Sequence, residues 1–515
     1  MLAAAPGALA APDSRPVAPM APPTLLPPEG RAGAAVKSRW LVGARQGARS
    51  ADVAREHGAR ALAAPGVYVV PTGRARALAA ALRAEGLLLF SEPDRVGHRE
   101  DLEDDFTNWR STVVPPGLDP PPVDPGSPLV AVLESPVDPR HPYLAVVRQS
   151  RPAAPFDEHG TAVASMVSAP RNGFGMVGVW PGAPTLVIPT GDDTGIGCSE
   201  SVDSIFDAVD AGAIVVNMSY GSPEQCFAQE LALGMARTAD VVSVAAAGNE
   251  FAQGNKPSFP AASPHVLSVA ATDLAGNSSA FSTANAAVDI SAPGERVTAA
   301  VPGGHALVEG TSFSAPIVSG VAAWVRDRRT SLDAGQVTDL LRRSARDIDE
   351  AGYDPGTGFG LVDLPAALKA KTPRRDVKEV NDDIGWVNGD LFGKRAPYSW
   401  KGGSSGAIIR ASSDVLKDPV DVYRIRVPAR ERVRVFVKPL DDDDDPDLEV
   451  FARSARTVSS SRGSVDTSTR DAGRSEVVRF TNGLSFTRQY FVAVYVPESA
   501  KTLSAEYTLT VRRVR

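Results

Sequence analysis

Short apolar runs alternate with helical stretches between residues 129 and 368 of this chain. Each run is apolar at successive positions, so both faces of the strand it forms should be buried. Strands that are buried on both faces and separated by helices are typical of a parallel sheet covered by helices on each side. The pattern therefore predicts an α/β domain. Its four clearest strands are expected at 129–133, 184–189, 213–218 and 240–247.

A smaller unit precedes this domain. Runs rich in β-branched or aromatic residues lie at 39–43, 66–70 and 87–91, and strong helix formers fill the stretch between the last two. This order predicts a small α+β domain over residues 37–97. Residues 98–128 are interpreted as a linker, because their later part is too rich in Pro for a helix or a central strand.

The C-terminal part of the chain changes to a strict alternation of polar and apolar residues, with little helical pattern in between. A period of two is typical of antiparallel strands that bury one face. The α/β domain is therefore expected to span residues 129–370, and residues 371–515 are predicted to form an antiparallel β-sandwich. The alternating segments are 420–427, 431–437, 447–451, 489–496 and 505–511.

Composition limits the class of protein. A chain of 515 residues is too long for one core, and 43% apolar with 22% charged residues argues against a disordered or fibrous chain. The net charge of −7 disfavours nucleic acid as a partner. No uninterrupted apolar run reaches about 18 residues, so no membrane span is predicted. Residues 1–36 are a Pro-Ala-rich segment, interpreted either as a signal peptide ending near Ala8-Leu9-Ala10 or as a disordered tail.

Several polar residues stand where strands of the α/β domain end or helices begin. Glu134 ends the first strand, His159 opens a helix, Asn249 follows another strand, and Ser312 and Ser314 precede an apolar helix. Because parallel strands present their carboxyl ends at one edge of a sheet, these groups could meet there. A serine hydroxyl becomes a good nucleophile only when a base within hydrogen-bond reach takes its proton. The set thus indicates nucleophilic catalysis by a serine.

The segments around these residues resemble the motifs of the subtilases, the subtilisin-like serine proteases. The resemblance covers about residues 129–368 and implies a subtilisin-like parallel-sheet fold and a serine endopeptidase that uses no cofactor. It also implies that Ser312 is the nucleophile and that Ser314 occupies a packing position. The matching stretches are H-G-T-A-V-A at 159–164, N-M-S-Y-G at 217–221, A-A-G-N-E at 246–250 and G-T-S-F-S-A-P at 310–316.

The resemblance implies that His159 is the general base and that Asn249 donates a hydrogen bond to the oxyanion. The acid departs from the family pattern, in which Asp is followed by Ser or Thr and Gly; this chain has Glu134-Ser135-Pro136. A glutamate can also accept the imidazole Nδ1–H, so Glu134 is the predicted acid. The alternatives are Asp138, four residues later, and a non-catalytic site.

Two further stretches match the family segments that pair with the backbone of a peptide substrate. The alternative for each stretch is a Gly-rich turn that only closes a strand. The residues concerned are Gly195, Ile196, Gly197, Ser219, Tyr220 and Gly221.

The two cysteines follow these stretches closely in the family pattern. Cys198 comes directly after the first stretch, and Cys226 lies five residues after Gly221, each where a helix is expected to begin. The resemblance therefore implies a disulfide at the distal end of the substrate groove. The alternative is two free, buried thiols that act as small hydrophobic groups.

No metal site is predicted. Asn172 matches a calcium-loop asparagine of some subtilisins, but the matching aspartate position holds Tyr143, and a hard cation there would lose its main charge. The acidic run at 441–447 is interpreted as a solvated turn, with calcium binding as the alternative.

The flanking units extend the resemblance. The domain at 37–97 resembles the subtilisin propeptide, and residues 104–109 resemble the start of a mature enzyme; the sandwich is similar to pre-peptidase C-terminal domains of secreted bacterial proteases. Together they imply a secreted, extracellular, monomeric protease made as a zymogen. Its partners would be polypeptide substrates and, intramolecularly, its own propeptide. The rival interpretations are a degenerate subtilase fold that binds peptides without cleaving them and an esterase with the same triad.

Overall fold

The structure of the chain is a computed structural model. It divides into two compact units, Met1–Asp101 and Leu102–Arg515. Most of the Pro-Ala-rich segment predicted at 1–36, and the start of the predicted linker, lie outside the described residues. The residues described are 35–62, 65–95, 107–138, 140–144, 147–151, 156–172, 175–191, 195–376, 378–390, 393–415, 417–497, 499–500, 502 and 504–514.

The first unit is a four-stranded antiparallel sheet with two helices. Its elements are β1 (Ala35–Ala44), α1 (Ala48–Glu56), β2 (Arg60–Ala61), β3 (Val67–Pro71), α2 (Thr72–Ala84) and β4 (Leu88–Arg95). The strand order is β2-β3-β1-β4. Helix α2 buries Leu78 and Leu82, one helical turn apart, against Val42 and Val70 of the sheet. Helix α1 buries only Ser50, Val53 and Ala54, because it contains few large apolar side chains.

The second unit contains a seven-stranded parallel sheet in the order β11-β10-β9-β8-β5-β7-β6. This topology confirms the predicted α/β fold. Its strands are β5 (Val130–Glu134), β6 (Val147–Gln149), β7 (Thr185–Pro189), β8 (Val215–Met218), β9 (Val242–Ala246), β10 (Val266–Thr272) and β11 (Ile290–Pro293), and a hairpin follows, of β12 (Val297–Val301) and β13 (Gly304–Val308).

Helices cover both faces of this sheet. Helix α7 is buried along almost its whole length on one face, where it packs with α4, and α5 packs with α6 on the other. Among the described helices, none has the length together with the apolar character that crossing a bilayer requires. The helices are α3 (Arg110–Val113), α4 (Glu158–Ser168), α5 (Cys198–Asp210), α6 (Phe227–Thr238), α7 (Thr311–Arg328), α8 (Ala334–Ser344) and α9 (Leu364–Lys369).

The predicted linker at 98–128 is partly built into this unit. Trp109 is fully buried in the core beneath α4 and α7, and its indole N–H donates to the Thr298 carbonyl at 2.8 Å. Helix α3 follows directly. A single large aromatic side chain therefore anchors the start of this segment, which lies ahead of its Pro-rich part, to the core.

Two antiparallel four-stranded sheets follow, in the orders β14-β21-β16-β19 and β15-β20-β17-β18, and their inner faces share one apolar core. This agrees with the predicted sandwich. The elements are α10 (Ile384–Val387), β14 (Ala407–Asp414), β15 (Val420–Val427), β16 (Arg432–Pro439), β17 (Asp447–Ala452), β18 (Ser464–Ser468), β19 (Glu476–Thr481), β20 (Arg488–Tyr495) and β21 (Ser504–Arg513).

Buried charges join the α/β part to the sandwich. Arg342 of α8 lies 2.7 Å from Asp414 at the end of β14 and 3.4 Å from Asp289, which precedes β11. Lys417 lies 3.2 Å from the same Asp289. All four side chains are at most 10% exposed. Each charge therefore depends on its partners, because an unpaired ion at this depth would be poorly solvated.

We expect Arg342→Leu to destabilise the second unit by about 3 kcal/mol or more, because Asp414 would lose its guanidinium partner in a buried site. Arg343→Leu is the matched control: its half-exposed side chain pairs with Glu506 at 3.3 Å, and such a pair contributes under about 1 kcal/mol. Urea denaturation followed by tryptophan fluorescence measures both. Equal losses from the two variants would contradict the assignment.

Candidate active site

The carboxyl end of β5 meets the first turn of α4. Oε1 of Glu134 lies 3.0 Å from Nδ1 of His159. The contact needs a close approach of the helix to the strand end: a Cβ at Gly160 would fall 2.3 Å from the Ser135 carbonyl oxygen. Glycine at 160 therefore allows the imidazole to reach the carboxylate.

The carboxylate of Glu134 is held on both oxygens. Its Oε2 accepts from the Ser135 backbone N–H at 2.9 Å and from the Ser135 hydroxyl at 3.2 Å, while Oε1 faces the imidazole. The side chain is only 4% exposed. Ser135 also accepts from the Gly160 N–H at 3.0 Å, so it fixes the acid and the helix that carries the base. The sequence analysis gave Ser135 no role.

The imidazole of His159 is partly exposed to solvent, whereas its partner Glu134 is buried. Asp157 caps α4 by accepting from the His159 backbone N–H at 2.6 Å, and the ring of Phe313 lies 5.5 Å from the imidazole, centroid to centroid. Burial alone would lower the pKa of His159, but the negative charge of Glu134 and its hydrogen bond outweigh burial and raise that pKa above its ordinary value. A proton on this imidazole is thus held more tightly than on an isolated one.

Asp138, the alternative acid, is engaged elsewhere. Its Oδ1 accepts from the backbone N–H of Arg140 at 3.0 Å and lies 3.3 Å from the Arg140 guanidinium. The backbone N–H and the guanidinium hold the pKa of Asp138 below its usual range. The structure therefore brings Glu134, rather than Asp138, to His159.

The two serines of α7 point to different places. The hydroxyl of Ser314 is fully buried and donates to the Ala292 carbonyl of β11 at 3.0 Å. Ser312, at the second position of the helix, donates its hydroxyl to the Ser219 carbonyl at 3.1 Å. Its proton is thus directed to a backbone oxygen, and transfer to His159 requires the hydroxyl to turn. In enzymes without bound substrate, the hydrogen bond between the nucleophile and its base is often long or poorly aligned.

A chain of polar side chains locks Ser312 to β8. The hydroxyl of Ser219 donates to the Ser312 carbonyl at 2.8 Å and accepts from the Asn217 amide at 2.9 Å. Asn217 in turn accepts from Ser319, one and a half to two turns further along α7, at 3.0 Å. These buried bonds fix the start of α7 relative to the sheet.

The side-chain amide of Asn249 is oriented by Thr311. Its Oδ1 accepts from the backbone N–H of Thr311 at 2.9 Å and from the Thr311 hydroxyl at 3.0 Å. Because the oxygen is occupied on that side, the Nδ2 group is left to face the start of α7, where a Cβ at Gly310 would lie 3.4 Å from it. The N–H groups of a helix's first turn have no partners within the helix. The Nδ2 group of Asn249 therefore lies next to further hydrogen-bond donors, the backbone N–H groups at the start of α7.

An open groove of about 650 Å³ runs from Glu134 and His159 along the sheet edge. Both predicted substrate stretches line it, residues 195–197 and 219–221, and so do Cys198 and Cys226. The two cysteines form a disulfide with Cα atoms 6.3 Å apart. They stand at the N-terminal ends of α5 and α6, so the disulfide ties the two helices together at the rim of the groove.

Tyr143 fills the position where some subtilisins carry a calcium-binding carboxylate. Its ring is buried and packs on Gly175, where a Cβ would fall within 2.0 Å of it. The amide of Asn172 donates to the Pro142 carbonyl at 3.4 Å. Position 143 thus supplies an uncharged phenol in place of a carboxylate, the group that would give a hard cation its main charge.

The His159–Glu134 contact yields a direct test. In an NMR titration we expect the pKa of His159 to lie above its ordinary value, and Glu134→Gln to lower it because the neighbouring negative charge is removed. Asp138→Asn is the control and should leave the titration unchanged. If Asp138→Asn lowers the pKa and Glu134→Gln does not, the charge beside His159 belongs to Asp138.

The Subtilase family (Peptidase_S8) sequence model matches residues 126–360. Fervidolysin of Fervidobacterium pennivorans is 32% identical over 289 residues, which cover 48% of this chain and 41% of fervidolysin. Subtilisin of Bacillus pumilus is 31% identical over 251 residues, covering 47% of this chain and 90% of that subtilisin.

This chain spans less than two thirds of some relatives, such as 65% of subtilisin amylosacchariticus of Bacillus subtilis subsp. amylosacchariticus. Among solved structures, prenylagaramide maturation protease PagA is 29% identical, with a TM-score of 0.44 and coverage of 47% of this chain and 92% of PagA. The alignment with almost all of the Bacillus pumilus subtilisin, together with the ordered motifs and the parallel sheet, shows that this chain belongs to the subtilase family.

Proposed function

We propose that this chain is a serine endopeptidase in which Ser312 is the nucleophile, His159 the general base, Glu134 the acid and Asn249 the oxyanion donor. The observation that carries the proposal is the 3.0 Å contact between Glu134 and His159 beside the start of α7. Family membership supports the class of reaction, and the geometry supports the assignment of residues.

The first half of the reaction forms an acyl-enzyme. The Ser312 hydroxyl turns from the Ser219 carbonyl to the imidazole, His159 takes its proton, and the oxygen attacks the scissile carbonyl carbon. Glu134 keeps the Nδ1–H in place and stabilises the imidazolium that forms. The imidazolium then gives its proton to the leaving amine, and the C–N bond breaks.

Negative charge develops on the carbonyl oxygen during this attack. The Asn249 Nδ2–H and the Ser312 backbone N–H are the donors that would stabilise it. In support of this, Thr311 holds the side-chain oxygen of Asn249 with two hydrogen bonds. The N-terminal end of α7 adds a partial positive charge. A water molecule, deprotonated by His159, then hydrolyses the acyl-enzyme.

The groove favours an extended polypeptide as substrate. The stretches at 195–197 and 219–221 both line it, and their backbones would pair with an extended peptide. Small-molecule esters would use little of this length, so an esterase is the weaker candidate. We further propose a zymogen, with the first unit as the propeptide, and export from the cell, where a disulfide such as Cys198–Cys226 persists.

Labelling with a fluorophosphonate tests the central claim, since only an activated serine reacts quickly with this probe. Wild type should label rapidly and Ser312→Ala only at background. Ser314→Ala, a matched control two positions away and pointing into the core, should keep most of the labelling. Cleavage of the chain near residues 97–115 should follow the same pattern. Absence of labelling in folded wild type would favour the rival peptide-binding protein.

The role of the glutamate has its own kinetic test. Glu134→Gln should lower kcat by about three to four orders of magnitude with little effect on folding, because an amide would hold His159 in the wrong tautomer. Glu134→Asp restores the usual family residue and should keep or raise activity. Asp138→Asn serves as the control with normal turnover. If Asp138→Asn were inactive and Glu134→Gln remained active, the acid would be Asp138 instead of Glu134.

A further inference from the structure

A second group of acidic side chains lies far from the groove, where the chain passes from the α/β part to the sandwich. Asp376, Glu379 and Asp382 come from the connecting segment, and Asp418 and Asp421 flank the start of β15. We call these five residues the junction cluster. None of them has a role in the reaction proposed above.

Four of the five carboxylates of the junction cluster converge. Oxygen atoms of Asp376, Glu379 and Asp421 lie within 4.8 Å of one another, and oxygen atoms of Glu379 and Asp382 lie equally close to a ring nitrogen of His265. Glu379 belongs to both sets. Its carboxylate is therefore at the centre of the junction cluster.

These groups are buried, and several lack partners. The side chain of Glu379 is 5% exposed and that of Asp382 8%, while Asp421 is fully buried. Six buried oxygen atoms have no hydrogen-bond partner among the described residues, whereas buried polar atoms are nearly always paired. They are both carboxylate oxygens of Glu379 and one side-chain oxygen each of Asp376, Asn381, Asp382 and Asp418.

Among the described residues, the nearby cations offset this negative charge only in part. Lys417 and Arg342, the nearby buried cations, are paired with Asp289 and Asp414. Arg237 opposes the negative charge at Glu379 and Asp376. Burial first, and then the neighbouring carboxylates, raise the pKa of Glu379 and Asp418 well above the usual range.

We propose that the junction cluster is a calcium site. Its ligands would be the unpartnered oxygens of Glu379, Asp382, Asp418 and Asp376, with Asn381. Ca²⁺ takes six to eight oxygen ligands from carboxylates and amide carbonyls in a flexible arrangement, and this cluster offers both kinds. The amide of Asn381 donates to Asp421 at 2.8 Å, which fixes the residue and leaves its carbonyl oxygen for the cation.

The chemistry of the cluster favours calcium over zinc. Zinc prefers four nitrogen, sulfur or oxygen ligands, and His265 is the one nitrogen donor of the set. Nε2 of His265 already lies 2.8 Å from Oδ2 of Asp382. This places His265 behind the carboxylate, where it orients Asp382 rather than binding the ion.

A cation here would join three separate parts of the second unit. His265 precedes β10 of the parallel sheet, Glu379 and its neighbours lie in the connecting segment, and Asp418 leads into β15 of the sandwich. The ion would replace mutual repulsion between the carboxylates with attraction to one centre. The expected effect is to fasten the connecting segment to both parts. This proposal does not rest on protease activity.

The test uses the full chain carrying Ser312→Ala, which prevents self-digestion, after EDTA treatment and desalting. Ca²⁺ binding is measured by calorimetry and stability by the thermal midpoint, Tm. We expect at least one Ca²⁺ per chain, and a rise in Tm of about 5 °C at a Ca²⁺ concentration one hundredfold above Kd. No binding of Ca²⁺ and an unchanged Tm would overturn the proposal.

Variants in this background locate the ion. Glu379→Gln with Asp418→Asn should take up one Ca²⁺ fewer and lose the rise in Tm, because two central ligands lose their charge. Asp443→Asn, at an exposed position of the acidic run at 441–447, is the matched control and should behave as the parent. Loss of binding in Asp443→Asn alone would move the site to that run. A rise in Tm with Zn²⁺ that disappears in His265→Gln, without any effect of Ca²⁺, would also defeat the proposal.

Limited trypsin digestion provides a readout that does not depend on whether the variants fold. The connecting segment offers Arg374, Arg375 and Lys378 as cleavage sites. In the parent chain, Ca²⁺ should slow cleavage at these residues at least tenfold relative to EDTA, while cleavage in the first unit stays the same. Equal rates at the connecting segment with and without Ca²⁺ would argue against the site.

Discussion

The burial of β5 on both faces is the constraint on which the second unit depends. Val130 and Val132 face the core beneath α4 and α7, while Ala131 and Leu133 face the core beneath α5 and α6. Neighbours on both sides, β7 and β8, pair with it in parallel. Because a strand so enclosed can expose only its end, its last residue is where a polar group can reach a crevice. Glu134 is that residue.

The parallel sheet could be predicted from the sequence because a short run that is apolar at every position must be buried on both faces, as the strands of such a sheet are. The sequence also predicted the sandwich, whose strands carry a clean period of two. The short strands β2 and β6 escaped prediction, since two or three residues of mixed polarity leave no period to detect. Helix α1 also escaped prediction, because it contains few large apolar residues. Trp109 shows another limit: its burial depends on a partner at Thr298, far along the chain.

At the site, the candidate residues were predicted from the resemblance to subtilase motifs. Without that resemblance, the residue types and their spacing could not have ranked Glu134 above Asp138. That choice depends on where two carboxylates four positions apart end up, and the ion pair of Asp138 with Arg140 is a matter of loop geometry. The hydrogen bonds of Ser219 with Ser312 likewise join parts 93 residues apart. The junction cluster was equally hidden, because its members are ordinary acidic residues until the sandwich folds beside the connecting segment.

Ser135 has a consequence for how a glutamate can stand where an aspartate is usual. A glutamate has one more rotatable bond, and freezing that bond on each encounter with the imidazole would cost conformational entropy. Here the backbone N–H and the hydroxyl of the next residue hold one carboxylate oxygen from two directions. The freedom of the longer side chain is removed during folding, so the base finds the carboxylate already immobilised. The acid is, in effect, a two-residue group: Glu134 supplies the carboxylate and Ser135 holds it still.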